Sequence, residues 1–151
     1  CRISEALSIN LEKVDFSRRE IVITGKGNKQ RVVFFGDRGY EALEKYLPYR
    51  EEILNANQSK TKALFVSSRG KRLTAGGASY ILGKYMAESG IDKKVTLHTF
   101  RHTFATLQLA MGTDLYTVSK MLTHRFISTT QIYADIMDNE KRKSANAISL
   151  K

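Results

Sequence analysis

The sequence predicts an α+β domain, mostly α, in which the helices accompany a small three-stranded antiparallel sheet. Strand signals are confined to the first part of the chain, where β-branched and aromatic runs at 20–24 and 31–35 flank the glycine-containing segment 25–30. After Gly36 the apolar residues recur at helical spacing. A chain of 151 residues suits one domain with a sizeable core.

The first elements predicted along the chain are a helix and a hairpin. Ile3, Leu7 and Leu11 have helical spacing, so we expect the helix to include Leu11. The two β-branched runs form the hairpin around residues 25–30, whose glycines permit a tight turn. Residues 14–16 are expected to add a third strand beside it.

A long helical pattern follows the hairpin. Leu43 and Leu47 belong to it, and Pro48 predicts a break or a fresh start. Residues 55–62 are polar and are predicted to form a loop. The next four residues, 63–66, read as a short buried stretch.

The rest of the chain is predicted to be helical. Thr74 is a suitable N-cap for a helix that Gly90 would end. A second helix is expected from about Leu97 to Gly112, and a third from Thr113 or Asp114. Phe100, Phe104 and Leu107 of the earlier helix are expected to pack inward. The apolar residues Leu115, Val118, Met121 and Leu122 lie on one face of the later helix. Residues 128–139 are also predicted to be helical.

Charge points to the class of partner. The chain carries 25 Lys and Arg against 15 Asp and Glu, a net charge of +10, which favours a polyanion partner over a merely soluble basic protein. No apolar run approaches the roughly 20 residues of a membrane span. The single cysteine, Cys1, cannot form an internal disulfide, which fits the cytoplasm.

The segment LHTFRHTFAT, residues 97–106, contains one candidate group of functional residues. His98 and Arg101 are three positions apart and would share a face of a helix. A guanidinium fork beside an imidazole suits a phosphate ligand, because it combines fixed donors with a group that can move a proton. Two ordinary solvated side chains would give the same spacing.

Three other residues are candidates for chemistry. Tyr133 follows His124 by nine positions, and a tyrosine hydroxyl, with a pKa of about 10, becomes a useful nucleophile only among cations and proton acceptors. Lys26 lies between two glycines at the hairpin tip, where it could be delivered to a ligand. Each residue taken singly also has an ordinary structural explanation.

The order Arg, Lys, His-x-x-Arg, His and Tyr over this length resembles the tyrosine recombinase family of phage and transposon integrases. RISEAL at 2–7 is similar to the family's first box, which implies that Arg2 is catalytic and that Glu5 helps hold the local fold. GKGNKQR at 25–31 is similar to its hairpin, which implies Lys26 as the mobile lysine and Lys29 as the second candidate.

The later boxes extend the same resemblance. The segment at 97–106 implies His98 and Arg101 as catalytic residues, His124 corresponds to the next histidine, and TTQIY ending at Tyr133 to the nucleophile segment. Thr123 stands where the family usually has glycine.

The resemblance implies an integrase-like DNA breaking-rejoining fold and one catalytic domain over 1–151, lacking its N-terminal part and a preceding core-DNA-binding domain. It implies a site-specific recombinase that cleaves and religates double-stranded DNA through a 3′-phosphotyrosine, for integration or excision of a mobile element. No metal, ATP or other cofactor is expected. The protein would form a homotetramer on paired sites and a monomer as an isolated domain, in the cytoplasm and without a membrane partner.

Two alternatives remain open at this stage. A type IB topoisomerase has the same catalytic set but relaxes supercoils without site specificity, and a non-catalytic DNA-binding module would explain the charge alone. For any of the three we expect basic side chains to contact DNA phosphates. The residues expected to do so are Lys29, Arg31, Lys71 and Arg72. In the basic tail, Ile148 and Leu150 are expected to fill a pocket, in cis or in trans.

Overall fold

The computed structural model describes residues 1–93 and 95–122. Its elements in chain order are α1 Ile3–Ser8, β1 Val14–Asp15, β2 Glu20–Thr24, β3 Gln30–Phe34, α2 Asp37–Ala56, α3 Ala75–Glu88, α4 Leu97–Ala110 and α5 Leu115–Leu122, with short 3-10 turns at Leu11–Lys13 and Lys26–Asn28. The strands form one antiparallel sheet in the order β1-β2-β3. The predicted fold class, including the third strand, is confirmed. The chain divides into two compact units, Cys1–Thr99 and Phe100–Lys151.

The register of the hairpin decides which side chains face the core of the first unit. Ile21 lies opposite Val33, and Ile23 lies opposite Arg31. Directly opposed residues project from the same face of a sheet, so these four side chains share the inner face. Phe34, one position further along, is exposed. The inner face of β3 therefore carries an arginine among aliphatic residues.

The hairpin turn has the backbone geometry that its glycines predicted. The Gly25 N–H donates to the carbonyl of Lys29 at 2.9 Å and closes the turn. Gly27 and Asn28 have φ angles of 76° and 59°, in the left-handed region that glycine and asparagine tolerate best. The 3-10 turn begins at Lys26 and continues through Gly27 and Asn28.

The core of the first unit joins the sheet to α2. Ile9, Ile23 and Leu64 are buried together, and Leu43 and Leu47 of α2 pack against them. Full burial of a large aliphatic side chain stabilises a fold by about 1.5–3 kcal/mol. This cluster therefore supplies much of the free energy that holds α2 against the hairpin.

The predicted helix break at Pro48 is wrong, because α2 continues through it. Proline lacks the N–H that would bond to the carbonyl of Glu44. Pro48 and Glu44 both lie on the exposed side of α2, where water can bond that carbonyl. The buried leucines on the other side keep the helix intact.

The first helix also differs from its prediction, since α1 ends at Ser8 and Leu11 lies outside it. The backbone after Ser8 is extended and pairs with a distant segment. The Leu64 N–H donates to the Ile9 carbonyl, and the Leu11 N–H to the Lys62 carbonyl, each at 2.9 Å. Long-range backbone pairing has replaced the helical hydrogen bonds that the spacing of apolar residues suggested.

Side chains of α2 hold the segment that follows it. Arg50, only 3% exposed, donates to the carbonyls of Ala63 at 2.9 Å and Thr61 at 3.1 Å. The Tyr46 hydroxyl donates to the Leu64 carbonyl and accepts from the Val66 N–H. Residues 63–66 form the buried stretch that was predicted, with Phe65 partly buried.

The predicted boundaries of α3 are confirmed. The Thr74 hydroxyl accepts a hydrogen bond from the Gly77 N–H at 3.1 Å and caps the helix. Gly90, just past the end of α3, has a φ of 63°, the left-handed conformation common after a helix end. α3 contacts α1.

The described part of the second unit is a pair of packed helices. Ala105 and Leu109 of α4 are buried against Val118 and Leu122 of α5, with Leu115 beside them. The predicted apolar face of α5 is therefore confirmed at these three α5 positions.

Two predictions about large apolar residues in this region are wrong. Phe100, Phe104 and Leu107 of α4 are exposed, the first and last by 56%, and Met121 of α5 is also exposed. α4 has two apolar stripes, and the one that packs contains the smaller side chain of Ala105. A small residue allows a close approach of α5, which hydropathy alone does not reveal.

None of the helices in the described residues is long and apolar enough to cross a membrane. The helix predicted at 128–139 and the tail residues Ile148 and Leu150 lie outside the described residues.

The Arg50 clamp gives a stability prediction. Arg50→Met should lower the free energy of unfolding by about 2–3 kcal/mol, because it leaves buried carbonyls without donors. Chemical denaturation measures the change. Arg38→Met, which removes an exposed arginine from the same helix, is the matched control and should change it by less than about 0.5 kcal/mol. Equal effects of the two substitutions would contradict the clamp.

Candidate active site

Arg2, the first predicted catalytic residue, is held at the start of α1. It is the N-cap of that helix, and its backbone N–H donates to the Glu5 carboxylate at 2.7 Å. Its side chain also reaches Glu5, with Nη1 3.2 Å from Oε1. The Arg2 side chain remains 48% exposed.

The Glu5 carboxylate accepts hydrogen bonds from two arginines. Besides Arg2, it accepts a forked pair of hydrogen bonds from Arg31, with Nη2 2.9 Å from Oε2 and Nη1 3.2 Å from Oε1. The residue is 5% exposed. Two-point binding of a carboxylate by a guanidinium is both strong and specific in orientation. The role in local folding that the resemblance implied for Glu5 agrees with these contacts.

The environment of Glu5 keeps it charged. Burial by itself raises its pKa, but the hydrogen bonds from the Arg31 side chain and the Arg2 backbone, with the positive charges of both arginines, lower the pKa from 4.5 to about 2. The carboxylate is therefore ionised throughout the physiological range, and the two guanidiniums outnumber it.

The turn that carries Lys26 begins beside this cluster. A methyl group added at Gly25 would lie 3.4 Å from both Arg31 Nη1 and Glu5 Oε1. Gly25, the residue before Lys26, thus lies beside the ion pair of Arg31 and Glu5. The structure brings the first box and the base of the hairpin turn together, as a shared site requires.

The start of α4 positions the histidine of the second box. Thr96 and Thr99 cap the helix reciprocally: each backbone N–H donates to the other hydroxyl, at 3.0 and 3.3 Å. His98 lies in this capped first turn and is exposed. His98 and Arg101 both belong to α4, so their predicted separation of about one helical turn is confirmed.

Arg101 is partly buried and contacts α5. Its Nη2 donates to the carbonyl of Leu122 in that helix. The Asp114 carboxylate caps the start of α5 by accepting from the Thr117 N–H at 2.9 Å.

The two remaining catalytic candidates, His124 and Tyr133, lie outside the described residues. In the sequence, His124 follows Leu122 by two positions. Within residues 1–93 and 95–122, no three or more His, Cys, Asp or Glu side chains are grouped so that they could hold a metal ion.

Of the four candidate DNA-contact residues, Lys29, Lys71 and Arg72 are exposed and Arg31 is partly buried. Arg31 binds Glu5, and Arg72 donates to the carbonyls of Leu7 and Ile9 at 2.8 and 3.0 Å. Sequence reasoning missed these internal contacts of the two arginines. For Arg31 the sequence did contain a signal: it is two positions from Val33, and residues two apart on a strand project from the same face.

The ion pairs of Glu5 should make the free energy of unfolding depend on pH in the acid range. The unfolded chain binds a proton at Glu5 near pH 4.5, and the folded chain only near pH 2. The stabilisation is therefore complete above pH 4.5 and is lost as the pH falls toward 2. Glu5→Gln should reduce the free energy of unfolding at pH 7 by about 3 kcal/mol, and this deficit should shrink as the pH falls through that window.

Chemical denaturation between pH 2.5 and 7 measures this difference. Glu52→Gln, at an exposed glutamate of α2, is the control, with an expected change below about 0.5 kcal/mol. A deficit for Glu5→Gln that stays constant across the pH range would refute the assignment of the effect to ionisation.

Known proteins resemble this chain over most of its length. It is 42% identical over 142 residues to tyrosine recombinase XerC of Anoxybacillus flavithermus, a match that covers 93% of this chain and 47% of that protein. The crystal structure of XerA recombinase matches with a TM-score of 0.80 and 31% identity, over 99% of this chain and 54% of the other.

A further solved structure is XerH site-specific recombinase bound to palindromic difH substrate in a post-cleavage complex. It matches with a TM-score of 0.78 and 28% identity, over 97% of this chain and 41% of that chain. The chain spans about half the length of the curated relatives it matches. The family model described as the phage integrase family matches residues 1–140. Since that match covers all but the last residues of the sequence, the chain belongs to the phage integrase family.

Proposed function

We propose that this chain is the catalytic part of a site-specific DNA recombinase that cuts and rejoins double-stranded DNA through a tyrosine. The observation that carries the proposal is that a single family match runs from residue 1 to residue 140. That range contains all six candidate catalytic residues in the order that the family resemblance implies. These residues are Arg2, Lys26, His98, Arg101, His124 and Tyr133.

In the proposed reaction the Tyr133 hydroxyl oxygen attacks the scissile phosphorus. A bond forms between phosphorus and the tyrosine oxygen, and the bond from phosphorus to the 5′ oxygen breaks. The products are a 3′-phosphotyrosine and a free 5′ hydroxyl. His98 accepts the tyrosine proton, and Lys26 donates a proton to the leaving 5′ oxygen.

The two arginines stabilise the charge that grows on the non-bridging oxygens. Arg2 is anchored through Glu5 and Arg101 through the Leu122 carbonyl, which supports a preorganised role for both guanidiniums. Removal of one well-placed donor to developing charge typically costs about 10²–10³ in rate. His124 donates to a phosphate oxygen in the same scheme.

The phosphotyrosine conserves the energy of the phosphodiester bond. Attack by a 5′ hydroxyl of the partner duplex therefore reseals the strand without ATP, and the arginines and lysine supply the positive charge without a metal. We propose that four copies of the full-length protein act on paired sites, that the isolated domain is a monomer, and that the biological context is integration or excision of a mobile element.

Double-stranded DNA is the proposed partner. The net charge of +10 supports it, as does the XerH structure, whose chain is bound to its difH substrate. We assign phosphate contacts to Lys29 and Lys71, which are exposed. The DNA-contact role first expected of Arg31 and Arg72 is replaced in this proposal by a structural role, because their guanidiniums have acceptors inside the protein.

A nicked suicide duplex tests the reaction class. After cleavage of such a duplex, the short strand with the 5′ hydroxyl diffuses away and cannot attack the phosphotyrosine. The protein therefore stays covalently attached to DNA. An SDS-resistant adduct distinguishes an enzyme from a non-catalytic DNA-binding module. Recombination between paired sites, compared with relaxation of a supercoiled plasmid that lacks them, separates a recombinase from a type IB topoisomerase.

Tyr133→Phe should abolish the adduct and leave DNA affinity within about threefold, because binding comes mainly from basic side chains. Adduct yield on gels and a binding titration measure the two effects. The matched control is Tyr116→Phe, at an exposed tyrosine of α5 stacked with Lys120, which should form the adduct normally. A normal adduct from Tyr133→Phe would remove Tyr133 as the nucleophile.

Lys26→Ala should cleave an ordinary phosphodiester slowly, by about 10²-fold or more. A duplex with sulfur at the bridging 5′ position should recover most of the rate, because a thiolate leaves without a proton. Lys29→Ala, in the same turn, is the control and should show no preference for the sulfur substrate. Recovery for Lys29→Ala alone would transfer the acid role to Lys29.

A further inference from the structure

We infer that Arg31 is a positioning residue that acts through Glu5 to hold the Arg2 guanidinium ready for the scissile phosphate. The inference rests on the proposed function, in which Arg2 binds that phosphate. It reassigns Arg31, which its basic hairpin location had suggested as a DNA contact, to a role inside the protein.

The strand register directs Arg31 away from solvent. It lies opposite the buried Ile23 and two residues from Val33, so its side chain projects from the inner face of the sheet. The side chain is 21% exposed. A guanidinium in this position needs an anionic acceptor nearby, and Glu5 supplies one.

Arg31 and Arg2 share the Glu5 carboxylate evenly. Oε2 accepts from the Arg2 N–H at 2.7 Å and from Arg31 Nη2 at 2.9 Å, and Oε1 accepts from one Nη1 of each arginine at 3.2 Å. The rigid fork of Arg31 therefore sets the plane of the carboxylate. The plane of the carboxylate in turn sets where the Arg2 side chain is held.

Charge gives Arg31 a second effect. Arg2 and Glu5 alone would form a neutral pair, in which the carboxylate competes with phosphate for the Arg2 guanidinium. With Arg31 present, two positive groups share one negative group, and the cluster keeps a net positive charge. Arg2 is the more exposed of the two arginines, at 48% against 21% for Arg31.

Because Gly25 lies beside the ion pair, Arg31 has a second way to affect the rate of cleavage, through the position of the turn that carries Lys26. The chemistry of the substrate can separate the two routes. A methylphosphonate at the scissile position replaces one charged non-bridging oxygen with a methyl group, which removes the need for the arginine at that oxygen. A bridging 5′ sulfur removes the need for the acid instead.

The test measures the rate of adduct formation by the full-length protein on suicide duplexes carrying a phosphodiester, each methylphosphonate isomer, or a bridging 5′ sulfur. On the phosphodiester, Arg31→Met should be slower by about 10–100-fold, less than the loss of a direct donor. Arg31→Lys keeps the charge without the fork and should be slower by less than about 10-fold.

The decisive comparison is with Arg2→Ala. One methylphosphonate isomer should restore Arg2→Ala, and on that isomer Arg31→Met should come within about threefold of the unsubstituted protein. Arg50→Met, which loses a buried arginine elsewhere in the same unit, should show the same defect on every substrate. If Arg31→Met does not fold, Arg31→Lys serves in its place, and its smaller defect must disappear on the same isomer.

The other outcomes overturn the inference in distinguishable ways. An Arg31 defect that is equal on all substrates means that Arg31 only stabilises the fold. Recovery on the sulfur substrate alone means that Arg31 acts through the Lys26 turn. If neither methylphosphonate isomer restores Arg2→Ala, the proposed role of Arg2 fails, and the inference fails with it.

Discussion

The buried carboxylate of Glu5 is the contact on which the described part of the candidate site depends. It accepts hydrogen bonds from Arg2 on α1 and from Arg31 on β3, so one side chain joins a six-residue helix to the hairpin. A helix of this length is not stable alone, and a buried carboxylate without partners would cost several kcal/mol. Docking the hairpin against α1 resolves both difficulties at once. The placement of Arg2 is thus a consequence of the packing of the first unit.

Arginines also organise the segments that lack regular structure. Arg50 donates to the carbonyls of Thr61 and Ala63 in the segment after α2, and Arg72 donates to the carbonyls of Leu7 and Ile9 at the end of α1. The planar guanidinium has five N–H groups and can satisfy several such acceptors together. The geometry of these two arginines is therefore set by acceptors inside the protein. Lys29 and Lys71 are exposed in the turns.

The second unit positions its arginine by a different means. Arg101 precedes Ala105 and Leu109 by four and eight positions, so it continues the stripe of α4 that packs on α5. Its guanidinium then donates to the Leu122 carbonyl of α5. Functional groups carried by packed helices are held more precisely than groups on loops. In the proposed mechanism this contact holds the Arg101 guanidinium in place before the phosphate binds.

The sequence by itself determined the fold class, the hairpin and its turn, the Thr74 cap and the family resemblance, because these depend on residues a few positions apart. It also predicted Arg2 as a catalytic candidate and the helical spacing of His98 and Arg101, and the alternation of β3 places Arg31 on the same face as Val33. Only the tertiary structure decided that α2 passes through Pro48, which stripe of α4 is buried, and that Glu5 is the partner of Arg31. Arg31 and Glu5 are 26 positions apart, and Arg72 and Leu7 are 65 apart. Contacts at such separations form only when the chain has folded, so local spacing carries no record of them.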